Sequence, residues 1–210
     1  GREAFLKLEQ NDPEYIALWQ YFRDESLKEF MEMYDLLEVD FDSFNGEAFF
    51  NDKMDSVVNE LEEKHLLKED QGALVVHVGE NTPPVLIKRT DGATLYATRD
   101  LAAIFYRLKT YHFDKLLYVV GNEQKLHFKQ IFSVLAKMGY EEYANKCEHI
   151  SFGLILDETG EKIGSRKGNI ITLKEIFNEA IEKSLKLIEE KNPDLENKED
   201  VKDPNWKPFI

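Results

Sequence analysis

The sequence is poor in the features that mark secreted and membrane proteins. Its 210 residues include one cysteine, Cys147, which excludes an internal disulfide and a cysteine-based metal cluster. It has no run of about 18 apolar residues, the length that a membrane-spanning helix needs. Its first residues lack the basic and apolar segments of a secretory signal. These absences predict a cytosolic protein without a membrane partner.

Positive charge is scarce as well. The chain has 27 Lys and Arg against 41 Asp and Glu, a net charge of −14. A uniformly basic DNA-binding surface is therefore excluded, and any contact with phosphate has to come from a local group of cations. Hydrophobic residues make up 42% of the chain, which is enough for a packed core and excludes a wholly disordered protein.

The first 65 residues follow a helical pattern. Asp12 followed by Pro13, and Ser26 followed three residues later by Glu29, are two helix-start signatures. They predict two successive helices, and a third is predicted over residues 52–65.

A strand-like pattern begins after Gly72. Residues 73–78 and 85–89 are short apolar runs bounded by turn residues, and the dipeptide Asp91-Gly92 is typical of a hairpin turn. This part of the chain is predicted to form a small antiparallel meander.

Helices and strands alternate in the rest of the chain. Thr98 is expected to cap a helix, residues 116–120 are expected to form a buried parallel strand, and residues 149–156 the next strand. A helix over 125–137 separates them, and a capping box at Thr172 predicts the last helix. This order is typical of an α/β fold, whose ligands bind outside the carboxyl ends of the strands.

The loop 160–169 follows one such strand. It contains Lys162, Arg166 and Lys167 together with three glycines, which let a backbone approach a ligand closely. Cations in such a loop can neutralise a polyphosphate. An ordinary solvated hairpin loop explains the same composition, and the Walker order of residues is absent.

Two further pairs lie where a ligand would bind. Asp100 follows Tyr96 by four residues and is expected in a first helical turn, where the helix dipole alone favours a carboxylate. The alternative is an anion directed at a ligand. Gln124 and His127 follow the predicted strand 116–120, where an amide can bind a ligand, whereas a single histidine is more often packed. His65, His77 and His112 show no metal-ligand spacing with each other or with acids.

In this order, the motifs resemble those of the arginyl-tRNA synthetases, a class I aminoacyl-tRNA synthetase family, over about residues 3–195. The loop 162–169 takes the place of the family's Lys-Met-Ser-Lys-Ser signature. The other strings that carry the resemblance are Tyr34-x-x-Leu37-x-Val39-x-Phe41-Asp42 with Gly46-Glu47, Asp91-Gly92-Ala93-Thr94-Leu95-Tyr96-Ala97-Thr98-Arg99-Asp100-Leu101-Ala102, Tyr118-Val119-Val120-Gly121-Asn122-Glu123-Gln124-x-x-His127-Phe128, and His149-Ile150-x-Phe152-Gly153.

The resemblance implies a fold. It is the second half of a class I Rossmann-like nucleotide-binding fold, a parallel sheet flanked by helices, preceded by an α+β insertion with the small antiparallel meander. The expected division is 1–95 for the insertion, 96–192 for the Rossmann-like half and 193–210 for a polar tail towards an anticodon-binding domain. Because the family's His-Ile-Gly-His motif does not occur, we expect an internal fragment of the enzyme that is inactive alone.

The resemblance also implies a reaction. Arginine and ATP, which carries Mg²⁺, form arginyl-adenylate, and the arginyl group then passes to tRNA(Arg). By the same resemblance, Tyr96, Asp100 and Gln124 bind arginine. The residues that the resemblance assigns to ATP binding are His127, His149, Phe152, Gly153, Lys162 and Ser165. Those expected to act in catalysis are Lys162, Arg166 and Lys167. Ser165 stands where the family has its signature lysine, so either Arg166 or Lys167 is expected to supply that charge.

Two other functions remain open on the sequence. One is a non-synthetase ATP-binding nucleotidyltransferase or kinase that uses the glycine-rich cationic loop, which would leave Tyr96, Asp100 and Gln124 without a role. The other is a non-catalytic interaction module that retains the fold.

Overall fold

The structure is a computed structural model. The chain forms two compact units. One unit comprises Gly1–Asp42 with Ile163–Ile210, and the other comprises Ser43–Lys162. The residues that the structure describes are 2–9, 12–90, 96–154, 156, 160 and 172–191.

The unit that contains both ends of the chain is helical in its described residues. Its helices are α1 (Arg2–Glu9), α2 (Pro13–Leu37) and α7 (Leu173–Lys191). The predicted cap at Asp12 is confirmed, since its Oδ1 accepts a hydrogen bond from the Glu14 amide at 3.0 Å.

The predicted division of α2 at Ser26 is wrong, because one helix of 25 residues runs through it. The Ser26 hydroxyl donates to the Phe22 carbonyl at 2.8 Å instead of capping a new helix. A serine inside a helix can bond back to the carbonyl four residues earlier, so its hydroxyl does not require a helix start. The helix ends at Leu37, where Glu38 adopts a left-handed conformation with φ 54°.

The second unit begins with a 3₁₀ helix, Glu47–Lys53, and continues into α3 (Met54–Glu63). A three-stranded antiparallel sheet follows, and it confirms the predicted meander. Its strands, in spatial order, are β1 (Lys68–Asp70), β2 (Ala73–Val76) and β3 (Val85–Lys88). Strand β1 was not predicted from the sequence, because its three residues are charged and exposed. The Asp91-Gly92 turn lies outside the described residues.

The α/β part of this unit carries the predicted parallel pair. Its elements are α4 (Tyr96–Tyr111), β4 (Leu116–Gly121), α5 (Lys125–Lys137), α6 (Glu141–Ala144) and β5 (Cys147–Phe152). Strands β4 and β5 are parallel, with Leu116 beside Cys147 and Gly121 beside Phe152. The strand expected over 149–156 thus begins two residues earlier and ends at Phe152.

The expectation that β4 is buried is wrong for one of its faces. Leu117 is 52% exposed and Val119 is 66% exposed, whereas the alternate residues are partly buried. Side chains alternate between the faces of a strand, so only one face of β4 packs on the core. That core lies within Ser43–Lys162 and joins α3, the antiparallel sheet, α4 and α5. Its largest fully buried side chains include Leu61, Ile87, Leu101, Ile104, Ile131 and Leu135.

The prediction that Thr98 caps α4 is wrong, because the helix already begins at Tyr96. The Thr98 side chain is fully buried, and its hydroxyl donates to the Ile87 carbonyl on β3 at 2.7 Å. As a consequence, Asp100 is the fifth residue of α4. It therefore lies beyond the first helical turn, whereas the sequence predicts it within that turn.

The observed fold is mixed α/β with a parallel pair and a small antiparallel sheet, as predicted. The division at residues 95 and 192 stays a prediction. Within the described part of the chain, no helix is long and apolar enough to cross a membrane.

Candidate active site

Helices α4 and α5 bring together two of the side chains that the sequence singled out. The Nε2 atom of His127, in the first turn of α5, lies 2.6 Å from Oδ2 of Asp100 on α4. The His127 side chain is 11% exposed and that of Asp100 is 34% exposed. The contact therefore holds the carboxylate from its protein side and leaves part of it open to solvent.

Two aromatic rings contact the imidazole of His127. The Tyr96 ring centroid lies 4.7 Å from it with an interplanar angle of 40°, and the Phe128 ring lies 5.2 Å away, nearly edge-on. Tyr96 is the first residue of α4 and is 59% exposed. Tyr96, Asp100 and His127 thus form one partly open cluster, which we call the α4–α5 cluster.

His149 is connected to this cluster through Phe128. The buried Phe128 ring lies 4.7 Å from the ring of His149, on β5. The Nε2 atom of His149 donates a hydrogen bond to the Val120 carbonyl on β4 at 2.8 Å. That bond occupies Nε2, so the Nδ1 edge of the ring is the part left for another partner.

The carboxyl ends of β4 and β5 hold the other predicted residues. Gln124 ends a 3₁₀ turn, Asn122–Gln124, directly after β4, and its side chain is exposed. Among the described residues it has no hydrogen-bond partner. Phe152 ends β5 with an exposed ring, and a side chain at Gly153 would meet nothing within 4 Å. These residues therefore border open space at the strand ends.

Arg99 was missed by the sequence analysis. Its Nη1 lies 2.8 Å from Glu47 Oε2, and its Nε donates to Asn51 Oδ1 at 3.3 Å. Both partners belong to the 3₁₀ helix, so Arg99 fixes the first turns of α4 beside Asp100. Its place in the resembling string was the only available signal, since its partners are about fifty residues away.

A partly buried polar contact joins α4 and β4. Arg107 donates from Nη1 to the Tyr118 hydroxyl at 2.9 Å. Burial raises the pKa of Tyr118 well above its usual value, although the neighbouring guanidinium opposes the shift. Tyr118 is therefore a neutral hydrogen-bonding group under ordinary conditions.

The predicted phosphate loop, apart from Gly160, lies outside the residues that the structure describes. Lys162, Ser165, Arg166 and Lys167 lie outside the described residues. In the described part of the chain, no group of three or more His, Cys, Asp or Glu side chains is placed to hold a metal ion.

The mixed α/β fold with its parallel strand pair agrees with the comparison to protein families. The family model for the catalytic domain of class I tRNA synthetases (R) matches residues 1–204. The chain belongs to this family.

Curated relatives agree with this assignment. The chain is 60% identical over 202 residues to an arginine–tRNA ligase of Exiguobacterium, and 56% identical over 202 residues to that of Enterococcus faecalis. Each alignment covers 96% of this chain and 36% of the relative. The chain therefore spans about a third of the length of these curated family members.

Solved structures support the fold. The arginyl-tRNA synthetase of Plasmodium falciparum superposes with a TM-score of 0.75 and 24% identity, covering 95% of this chain and 34% of that one. The Thermus thermophilus enzyme superposes with a TM-score of 0.68 and 19% identity, covering 93% and 40%. At these identities the likeness establishes the class I catalytic fold alone.

Proposed function

We propose that the chain supplies part of the active site of an arginine–tRNA ligase. The substrates are arginine and ATP with its bound Mg²⁺, which form arginyl-adenylate and pyrophosphate. The arginyl group then passes to the terminal adenosine of tRNA(Arg). The proposal is supported by family membership and by the names of relatives that are 53–60% identical. Translation also makes the cytosol the expected compartment.

The observation that carries the proposal is the partly open carboxylate of Asp100. A guanidinium is planar, always charged and presents a fork of donors, so its pocket needs a carboxylate. The exposed ring of Tyr96 adds an aromatic face on which such a group can stack. A hydrogen bond to a charged group contributes about 1.5–3 kcal/mol. Lysine cannot fill the fork and citrulline lacks the charge, so both would leave the carboxylate poorly paired.

The remaining residues complete the proposed site. Gln124, exposed just after β4, is proposed to bind the backbone end of arginine. His149, Phe152 and Gly153, at the end of β5, are proposed to lie on the adenosine side. The cations Lys162, Arg166 and Lys167, with Ser165, are proposed to neutralise the charge that develops on the phosphates.

The test is ATP–pyrophosphate exchange by the complete protein with tRNA(Arg) present. We expect exchange with arginine and none above background with lysine or citrulline. Exchange without any amino acid would instead indicate a nucleotidyltransferase. Absence of exchange under every condition, in a folded protein, would indicate an interaction module.

A further inference from the structure

The contact between His127 and Asp100 gives the histidine a role different from the one that the sequence suggested. The resemblance placed His127 on the adenosine side of the site. In the structure its Nε2 lies 2.6 Å from Asp100 Oδ2, and its side chain is the more buried of the two. The Nε2 atom of His127 is therefore already used within the protein.

Besides Asp100, two aromatic rings contact the imidazole of His127. Tyr96 packs against one part of the ring at 4.7 Å and Phe128 meets it nearly edge-on at 5.2 Å. These contacts limit the space open to the ring while its Nε2 bonds to Asp100.

A hydrogen-bond donor beside a carboxylate restricts the orientation of that carboxylate. The terminal torsion of an aspartate side chain is broad, so an isolated carboxylate samples many orientations of its plane. One hydrogen bond to Oδ2 restricts that plane. An ionised carboxylate has about four lone-pair sites, so a bond from His127 leaves enough of them for a two-pronged guanidinium contact. Orientation before binding reduces the ordering cost that the ligand would otherwise meet.

We propose that His127 is a positioning residue, which orients Asp100 for the guanidinium of arginine, and that it is not an adenosine contact. This inference rests on the proposed function. His127 acts through Asp100 and is not itself a catalytic residue.

Two substitutions in the complete protein distinguish the contribution of the His127 hydrogen-bond donor from that of its aromatic ring. His127→Phe keeps a ring between Tyr96 and Phe128 but removes the donor. His127→Gln loses the ring and places an amide nitrogen where Nε2 lies. We expect the Phe variant to raise the arginine KM about twofold to tenfold, the size of the ordering cost of one side chain, and to leave the ATP KM unchanged. The Gln variant should recover most of that loss.

A double-mutant cycle with Asp100→Asn tests whether His127 affects arginine binding through Asp100. Because His127 acts through Asp100, adding His127→Phe to Asp100→Asn should raise the arginine KM no further. An additive effect would overturn the proposal, as would a rise in the ATP KM alone, equal rises in both constants, or no change.

The cycle also separates this inference from the proposed function. Lack of arginine-dependent exchange in the unsubstituted protein would overturn the function itself. A defect in Asp100→Asn without one in His127→Phe would overturn the positioning role alone.

A measurement on the unsubstituted protein covers the case in which a variant does not fold. In protein labelled with ¹⁵N-histidine, arginine alone should shift the His127 Nε2 resonance, and a non-hydrolysable ATP analogue alone should leave it in place. The reverse pattern would assign His127 to the adenosine side and overturn the proposal.

Discussion

Asp100 is the residue on which the proposed specificity depends most directly. Asp100→Asn removes the negative charge but keeps nearly the same shape, so the guanidinium loses its counter-charge. We expect the arginine KM to rise about tenfold to a hundredfold, which corresponds to about 1.5–3 kcal/mol, with the ATP KM nearly unchanged. Steady-state exchange assays at varied arginine and varied ATP measure the two constants.

The matched control for this prediction is Asp55→Asn. Asp55 is an exposed carboxylate in the first turn of α3, so its substitution makes the same chemical change elsewhere in the unit. Equal effects of the two substitutions, or an equal rise of both Michaelis constants in Asp100→Asn, would contradict the assignment of Asp100 to arginine.

Cys147 is the one cysteine, and it is protected by its position at the start of β5. Burial raises the pKa of its thiol from 9.0 to about 11, although Arg107 opposes the shift. At pH 8 such a rise lowers the thiolate fraction about a hundredfold. We expect iodoacetamide to modify Cys147 about a hundredfold more slowly in the folded protein than in urea, as followed by mass spectrometry of its peptide. Equal rates in both states would show that the thiol is accessible and ionises normally.

Among the elements, α4 depends on a contact that reaches outside the helix. Thr98→Val keeps the shape of the side chain but removes the hydroxyl that donates to Ile87 on β3. A buried carbonyl that loses its partner costs about 1–3 kcal/mol, so α4 should open more easily. Hydrogen exchange of the α4 amides should become faster by the corresponding factor, while Thr98→Ser, which retains the hydroxyl, should exchange nearly as the unsubstituted protein does. Equal exchange in both variants would mean that the hydroxyl does not hold α4.

Local sequence patterns predicted the elements correctly where a pattern fitted only one kind of structure. The helix predicted over about 125–137 is confirmed, and the box formed by Thr172 and Glu175 is present, with the Thr172 amide donating to the Glu175 carboxylate at 2.7 Å. Ser26 and Thr98 were misread for a common reason. A hydroxyl near a helical pattern can cap a helix, bond back along it or bond to a distant strand, and the sequence nearby is the same in all three cases.

The site was predicted as a set of residues, and its arrangement was not. The family strings named Tyr96, Asp100 and His127, but the resemblance divided them between two ligands. The three residues form one cluster because α4 packs on α5. That packing joins residues 27 positions apart, which the hydrophobic periodicity of each helix does not predict. Arg99 depends in the same way on Glu47 and Asn51, which belong to a distant 3₁₀ helix.

At the scale of the whole molecule, the described core lies in the unit Ser43–Lys162. Leu135→Ala removes a fully buried side chain from α5 and should cost about 2–5 kcal/mol. Leu117→Ala makes the same change on the exposed face of β4 and should cost about 0.5 kcal/mol or less. Hydrogen exchange across α3, α4 and α5 should therefore become faster in the first variant and stay nearly unchanged in the second. Similar acceleration in both would mean that the exposed face of β4 is covered in the complete protein.

The separation of Asp100 and His127 along the chain also has a consequence for biosynthesis. Ribosomes add about 5–20 residues per second, so the 27 residues between the two partners take roughly 1–5 s to be made. During that interval the nascent chain carries the aspartate without the histidine that will orient it. The proposed acceptor for a guanidinium is therefore assembled only after α5 has left the exit tunnel.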